Sequence, residues 1–135
     1  MRRTALSVAA GLGAHLGVYL LMTFGLLLPF SLGWWSVERV VRFHSTIQYL
    51  VLPVEAGLIG GFIAALVARR HPLVTATAVG CIAFVEALIY HHYNWMAPVR
   101  WEFLTNQAAV IPAACVGALV QRWMATSRIF ATLRS

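Results

Sequence analysis

Residues 47–93 read IQYLVLPVEAGLIGGFIAALVARRHPLVTATAVGCIAFVEALIYHHY. Two apolar runs flank Arg69-Arg70-His71-Pro72, a charged stop followed by a helix breaker. About 20 apolar residues in a helix cross a ~30 Å hydrocarbon core. The reading is therefore two membrane-spanning helices, from about Ile47 to Ala68 and from about Leu73 to Tyr93, folded into an antiparallel hairpin by a tight turn.

The same pattern extends outward to both ends. Thr4 to Leu28 contains no charge. Met1-Arg2-Arg3 would suit a secretory signal peptide, but the apolar stretch exceeds the roughly 7–15 residues such a peptide uses. Ser31-Leu32-Gly33 is a poor cleavage site, so a retained span over about 4–28 is expected. A fourth span is expected from about Asn106 to Met124, followed by a basic tail over 125–135. Between the first two spans, Trp34, Val37 and Val41 share one helical face, and Glu38, Arg42 and Ser45 another. Glu38 and Arg42 form a favourable i,i+4 pair. This predicts a short interfacial helix over about 33–45, with Trp34 and Trp35 at headgroup level. Asn94 to Thr105 reads as an aromatic-rich loop, with Trp95, Trp101 and Phe103 anchoring the interface. The expected fold is an all-α bundle of four transmembrane helices in one domain, residues 1–135.

Composition supports lipid as the main solvent. Hydrophobic residues make up 61% and charged residues 10%, against about 25% charge in soluble domains. The ten basic residues are all arginine and the four acidic residues all glutamate. Without lysine there is no phosphate-binding loop of the Walker type, no Schiff base and no lysine-bound retinal. Without aspartate there are no aspartate-rich metal motifs. The net charge of +6 is read as topology rather than nucleic-acid binding. Arg2, Arg3, Arg69, Arg70, Arg122, Arg128 and Arg134 fall on one side, and Arg39, Arg42 and Arg100 on the other. The arginine-rich side holds both termini, which places them in the cytoplasm of a bacterial-type inner membrane. The tail then rests on anionic lipid. Cys81 and Cys115 form no CxxC and are read as small buried hydrophobes.

Small residues recur at four-residue spacing: Gly13 and Gly17, Gly57 and Gly61, Ala76 and Gly80, Ala113 and Gly117. Such spacing lets helix backbones approach closely in lipid. It serves packing within one bundle or packing against another subunit.

Two glutamates stand inside apolar helices, Glu55 and Glu86. Each is about 20 Å of helical rise from the arginine-rich ends of the central hairpin, and His15 lies roughly 17 Å along helix one. One narrow slab therefore holds three ionisable groups. His44, Gln48 and Glu55 recur along one stripe, and Glu86, Tyr90 and Tyr93 along another, as a polar funnel opening outward. Structural pairing, proton or cation transfer, and metal or catalytic use are the three readings of this layer. His91 and His92 are helical neighbours and point about 100° apart, which suits interfacial anchoring better than one shared ion. A metal site from Glu86, His91, His92 or His44 has no recognised spacing. His15 and His91 differ in depth by roughly 10 Å, too far to clamp one haem. No cofactor is predicted.

Helix one lacks the carboxylate of small multidrug transporters, and CxxC pairs of membrane dithiol oxidoreductases are absent. Glutamates on consecutive helices are similar to those of small proton-conducting subunits of respiratory complex I, a likeness of two residues. The leading expectation is a non-enzymatic subunit packed within a larger membrane complex, or self-associated through small-residue faces. The alternatives are a proton- or cation-coupled transporter or channel using the paired glutamates, and a membrane enzyme with Glu/His acid–base groups or a metal.

Overall fold

The computed structural model describes residues 2–34, 36–39, 42, 51–68, 70–95 and 101–127. Among the described residues the chain is helical and contains no strand. The helices are α1 (Arg2–Ser31), α2 (Leu52–Val67), α3 (Pro72–Trp95), α4 (Trp101–Ala108) and α5 (Val110–Thr126). Three stretches are long and apolar enough to cross a membrane: Arg3–Met22, Pro72–His92 and Trp101–Thr126. The 16-residue α2 is apolar but shorter, with a rise of about 24 Å.

Local sequence explains the helix ends. After α1 the chain turns through Gly33 at φ 73, which lacks the Cβ that would oppose a left-handed backbone. The Trp34 N–H then donates to the Pro29 carbonyl at 2.9 Å, closing the helix in the Schellman manner. The α2–α3 turn uses His71 at φ 57, unusual for a residue with a side chain. Pro72 begins α3, where a missing N–H costs no helical bond. The His71 carbonyl accepts from both the N–H and the hydroxyl of Thr75, each at 3.1 Å.

The fourth apolar stretch differs from expectation. Helix begins at Trp101 rather than near Asn106, so Trp101 and Phe103 stand on α4 and not in a loop. The break between α4 and α5 falls at Ala109. Pro112 cannot donate to the Ala108 carbonyl one turn earlier, so the ladder loses a bond there. The Ala109 N–H reaches the Asn106 carbonyl at 3.3 Å, a tightened turn, before the Ala113 N–H resumes the α pattern on Ala109 at 3.1 Å.

The core is made of small residues. Ala56, Ala64, Ala65, Ala76, Ala114 and Ala118 are buried, and the largest fully buried side chains are Val79, Thr75, Pro53 and Ser7. Large apolar side chains face outward, among them Leu16, Leu20, Leu21, Phe24, Ile82, Ile89, Val116 and Leu119. A water-soluble domain of this size hides such residues. Here the large side chains suit lipid and the small ones let backbones meet, the pattern of membrane helices.

The contacts of α2 organise the bundle. It packs most extensively on α5 and α1, and also on α3. A Cβ on Gly57 would lie 2.7 Å from the Val110 carbonyl, and one on Gly61 would overlap the Ala114 backbone. Gly117 meets the Leu58 carbonyl and Phe62. These pairings rise together along both chains, so α2 and α5 run parallel. Gly11 meets Gly60 and Ala64, whereas His15, one turn on, meets Gly60, so α1 and α2 run antiparallel.

One expectation is corrected, and one open alternative is narrowed. Cys81 is exposed and Cys115 half-exposed, not buried. On α3 the buried positions are Thr75, Ala76, Val79, Gly80 and Ala83, and Cys81 turns about 100° away from Gly80. The Gly13–Gly17 pair takes no part in the bundle: a Cβ on either would meet nothing within 4 Å. The inward stripe of α1 is Ser7, Gly11 and His15 instead. Gly13 follows Gly11 by two residues, about 200° of helical turn, and so faces the opposite way.

Candidate functional site

Ser7, Gly11 and His15 recur every fourth residue and so share one face of α1. Gly11 sits where a Cβ would lie 2.8 Å from Ala64 Cβ, the Gly60 carbonyl oxygen and Val79 Cγ2, so three helices converge on it. This close approach carries His15 into the same junction. A Cβ on Gly60 would lie 3.3 Å from His15 Cβ and 3.4 Å from Val79 Cγ1. The two glycines thus make room for an imidazole where a larger neighbour would exclude it.

His15 is only 6% exposed. Its ring makes a polar interaction with the Ala56 backbone. The Tyr19 ring, one turn on, stands 5.2 Å from it, tilted by 45°. His15 Nδ1 is buried and has no hydrogen-bond partner. It is the only such side-chain nitrogen or oxygen among the described residues. Two other buried polar groups are placed differently: the Ser7 hydroxyl donates to the Thr4 carbonyl at 2.8 Å, and the Thr75 hydroxyl to the His71 carbonyl.

Glu86 faces this junction from α3. It lies three residues past buried Ala83 and seven past Val79, on the side of α3 that packs inward. Its charge reaches both His15 and Tyr19. Helical rise puts Glu86 about 10 Å beyond Val79, and His15 and Tyr19 about 6 and 12 Å beyond Gly11. Because Gly11 touches Val79, these groups lie in one layer. The carboxylate itself is exposed, since it stands past the last buried position of α3.

Glu55 is half-exposed, in the first turn of α2 and one residue before Ala56. The structure therefore places His15, Tyr19 and Glu86 in one layer with Glu55 beside it, and among the described residues no ion pair joins either glutamate to another group. Gln48 and His44 lie outside the described residues, as does Trp35.

The outer end of α3 is a separate place. Tyr90 and His92 are exposed and each makes a further interaction. The His91 ring stacks on Phe103 of α4, with centroids 4.2 Å apart and planes at 25°. This packing docks α4 on α3 and occupies one face of the His91 ring. Among the described residues no three His, Cys, Asp or Glu side chains gather closely enough to hold a metal ion. Trp34 and Trp101 are 71% and 81% exposed, so neither is held by the bundle. Trp95 closes α3. The expected Glu38–Arg42 pair forms at 2.9 Å on the surface.

Sequence reading named His15 but not its neighbours Gly11, Gly60 and Tyr19. The available signal was the Ser7–Gly11–His15 spacing, two residues out of step with the more conspicuous Gly13–Gly17. No family model, no curated protein and no solved structure matches the chain.

Proposed function

We propose that this chain is a small non-enzymatic membrane subunit that acts by packing the outer face of α1 against a membrane-spanning helix of a larger complex. In this reading it crosses the bilayer with four helices, with a short interfacial helix after α1. The arginine excess holds both termini in the cytoplasm of a bacterial-type inner membrane.

One observation carries the reading. Gly11, Gly57, Gly60, Gly61, Gly80 and Gly117 each sit where a Cβ would press on a neighbouring helix. Gly13, Gly17 and Gly25 meet nothing. A glycine inside a helix costs roughly 0.5–1 kcal/mol relative to alanine, and this bundle draws nothing in return from those three. Close approach of an external backbone offsets that cost. The face is uncharged, because the only ionisable groups between Arg3 and Ser31, His15 and Tyr19, belong to the opposite, inward side or its edge. An uncharged, glycine-notched stripe within a span suits another apolar helix in the bilayer.

A second reading, proton or cation handling, is favoured by the burial of His15 beside Glu86. The first reading is tested by native mass spectrometry of the chain extracted in a lipid-preserving detergent. A heteromer of fixed stoichiometry, lost in the Gly13→Leu/Gly17→Leu variant, is the expected result. A lone chain or a symmetric dimer would overturn it.

A further inference from the structure

The packing role leaves His15 unexplained. Leucine or phenylalanine would fill the α1–α2–α3 junction without burying a polar atom. Instead the junction holds an imidazole, 6% exposed, whose Nδ1 has no partner. In hydrocarbon no water is present to satisfy such an atom. An ionisable side chain at this depth is costly and marks a working site together with its counter-charge.

Each element packed on the ring carries a titratable group near that level. On α1, the nearest titratable group is Tyr19, whose ring faces the imidazole. On α2, it is Glu55, half-exposed and adjacent to the Ala56 backbone that the ring touches. On α3, it is Glu86, whose charge reaches His15 and Tyr19 together. The described part of α5 offers Cys115 and Arg122, and Arg122 lies more than a turn beyond Gly117, toward the Arg2 end of α1. No cation on these helices is placed to neutralise Glu86 at this level. Among the described residues at this level, the imidazole is the one group able to carry positive charge.

We propose that His15 and Glu86 form a proton-binding site, in which the pair holds one exchangeable proton, carried by either the imidazole or the carboxyl group. The balance is simple. With one proton the pair is neutral, either as a carboxylic acid beside a neutral imidazole or as a carboxylate beside an imidazolium. Removing that proton leaves one negative charge, and adding another leaves one positive charge. A low-dielectric surrounding favours the neutral count over both. The exposed carboxylate is the entry point, because protons reach Glu86 from outside the bundle while Nδ1 is closed off. Tyr19, level with Glu86 on α1, flanks the route between them. Gly11 and Gly60 keep the imidazole in place by leaving it a slot on one side only.

The site is independent of the packing role, since it occupies the inward face of α1 and the glycine pair the outward one. The test uses the full chain in lipid nanodiscs with ¹⁵N-histidine and ¹³C-carboxyl labels, followed by NMR as pH is varied across about 5 to 9. The expected result is that the His15 ring nitrogens and the Glu86 carboxyl carbon change together with a single shared midpoint. Glu86→Gln should displace the His15 midpoint by at least about tenfold in proton concentration, while Tyr19→Phe should leave the two signals coupled. Signals that stay constant over the whole range would overturn the proposal. So would independent midpoints, or a His15 response unchanged by Glu86→Gln. Should that variant not fold, the shared or separate midpoint in the unaltered protein decides the matter alone.

Discussion

Gly57–Gly61 on α2 and Gly13–Gly17 on α1 have the same spacing and opposite surroundings. The α2 pair is pressed against Val110, Ala113 and Ala114 of α5, with no room for a side chain. The α1 pair faces away from the bundle, with open space over both residues. Four-residue spacing shows that a helix has a notched face. It does not show whether the notch is filled by the same chain. In α1 the answer depends on a two-residue offset, because Gly11 takes the inward position that Gly13 would otherwise occupy.

The contrast is most sharply broken at Gly61. Gly61→Leu should cost roughly 3 kcal/mol or more, the upper range of overpacking, because the neighbouring atoms are Ala114 backbone and cannot rotate aside. Denaturant titration in detergent, followed by helical circular dichroism, would show an early transition or no folded baseline. A variant as stable as the parent would mean that α2 and α5 do not meet at this register.

The hydrophobic runs were legible because lipid imposes a length and forbids charge over it. Thr4 to Leu28 and Leu73 to Tyr93 need no tertiary information to be read as helices. The start at Trp101 was not legible, since Trp101, Glu102 and Thr105 resemble a polar interfacial loop, whereas in the fold they stand on a helix whose Phe103 stacks on His91. Cys81 and Cys115 were misplaced for a related reason. A small apolar residue carries no sign of which side it faces, and in a membrane the exposed side is apolar too. At the site, the charge on Glu86 was visible in the sequence. The slot beside His15 was not, because it depends on glycines from two helices.

The inward face of α1 offers a second test. His15→Leu removes the buried, unpartnered nitrogen and should raise stability by about 1 kcal/mol in the same titration. A loss of stability would mean that the imidazole makes a bond the bundle depends on. The outward face gives an effect of comparable size and the same sign. Gly13→Ala with Gly17→Ala should leave the fold intact and raise stability by roughly 1–2 kcal/mol, through helix propensity alone. Destabilisation would mean that α1 turns this face inward.

The smallest effect belongs outside both faces. Glu38→Gln breaks the exposed pair with Arg42 and should change stability by no more than about 0.5 kcal/mol, diminishing further in salt. A larger change would give the segment after α1 a structural role comparable with the helices.

The two-faced character of α1 is tested most directly by a photo-crosslinking amino acid at Leu16, beside Gly13 and Gly17 and half exposed, in native membranes. A single crosslinked product is expected, identified by mass spectrometry as a membrane-spanning segment of another protein and abolished by Gly17→Leu. Crosslinks to lipid alone, or to a residue of this same chain, would contradict the assignment of that face to a partner.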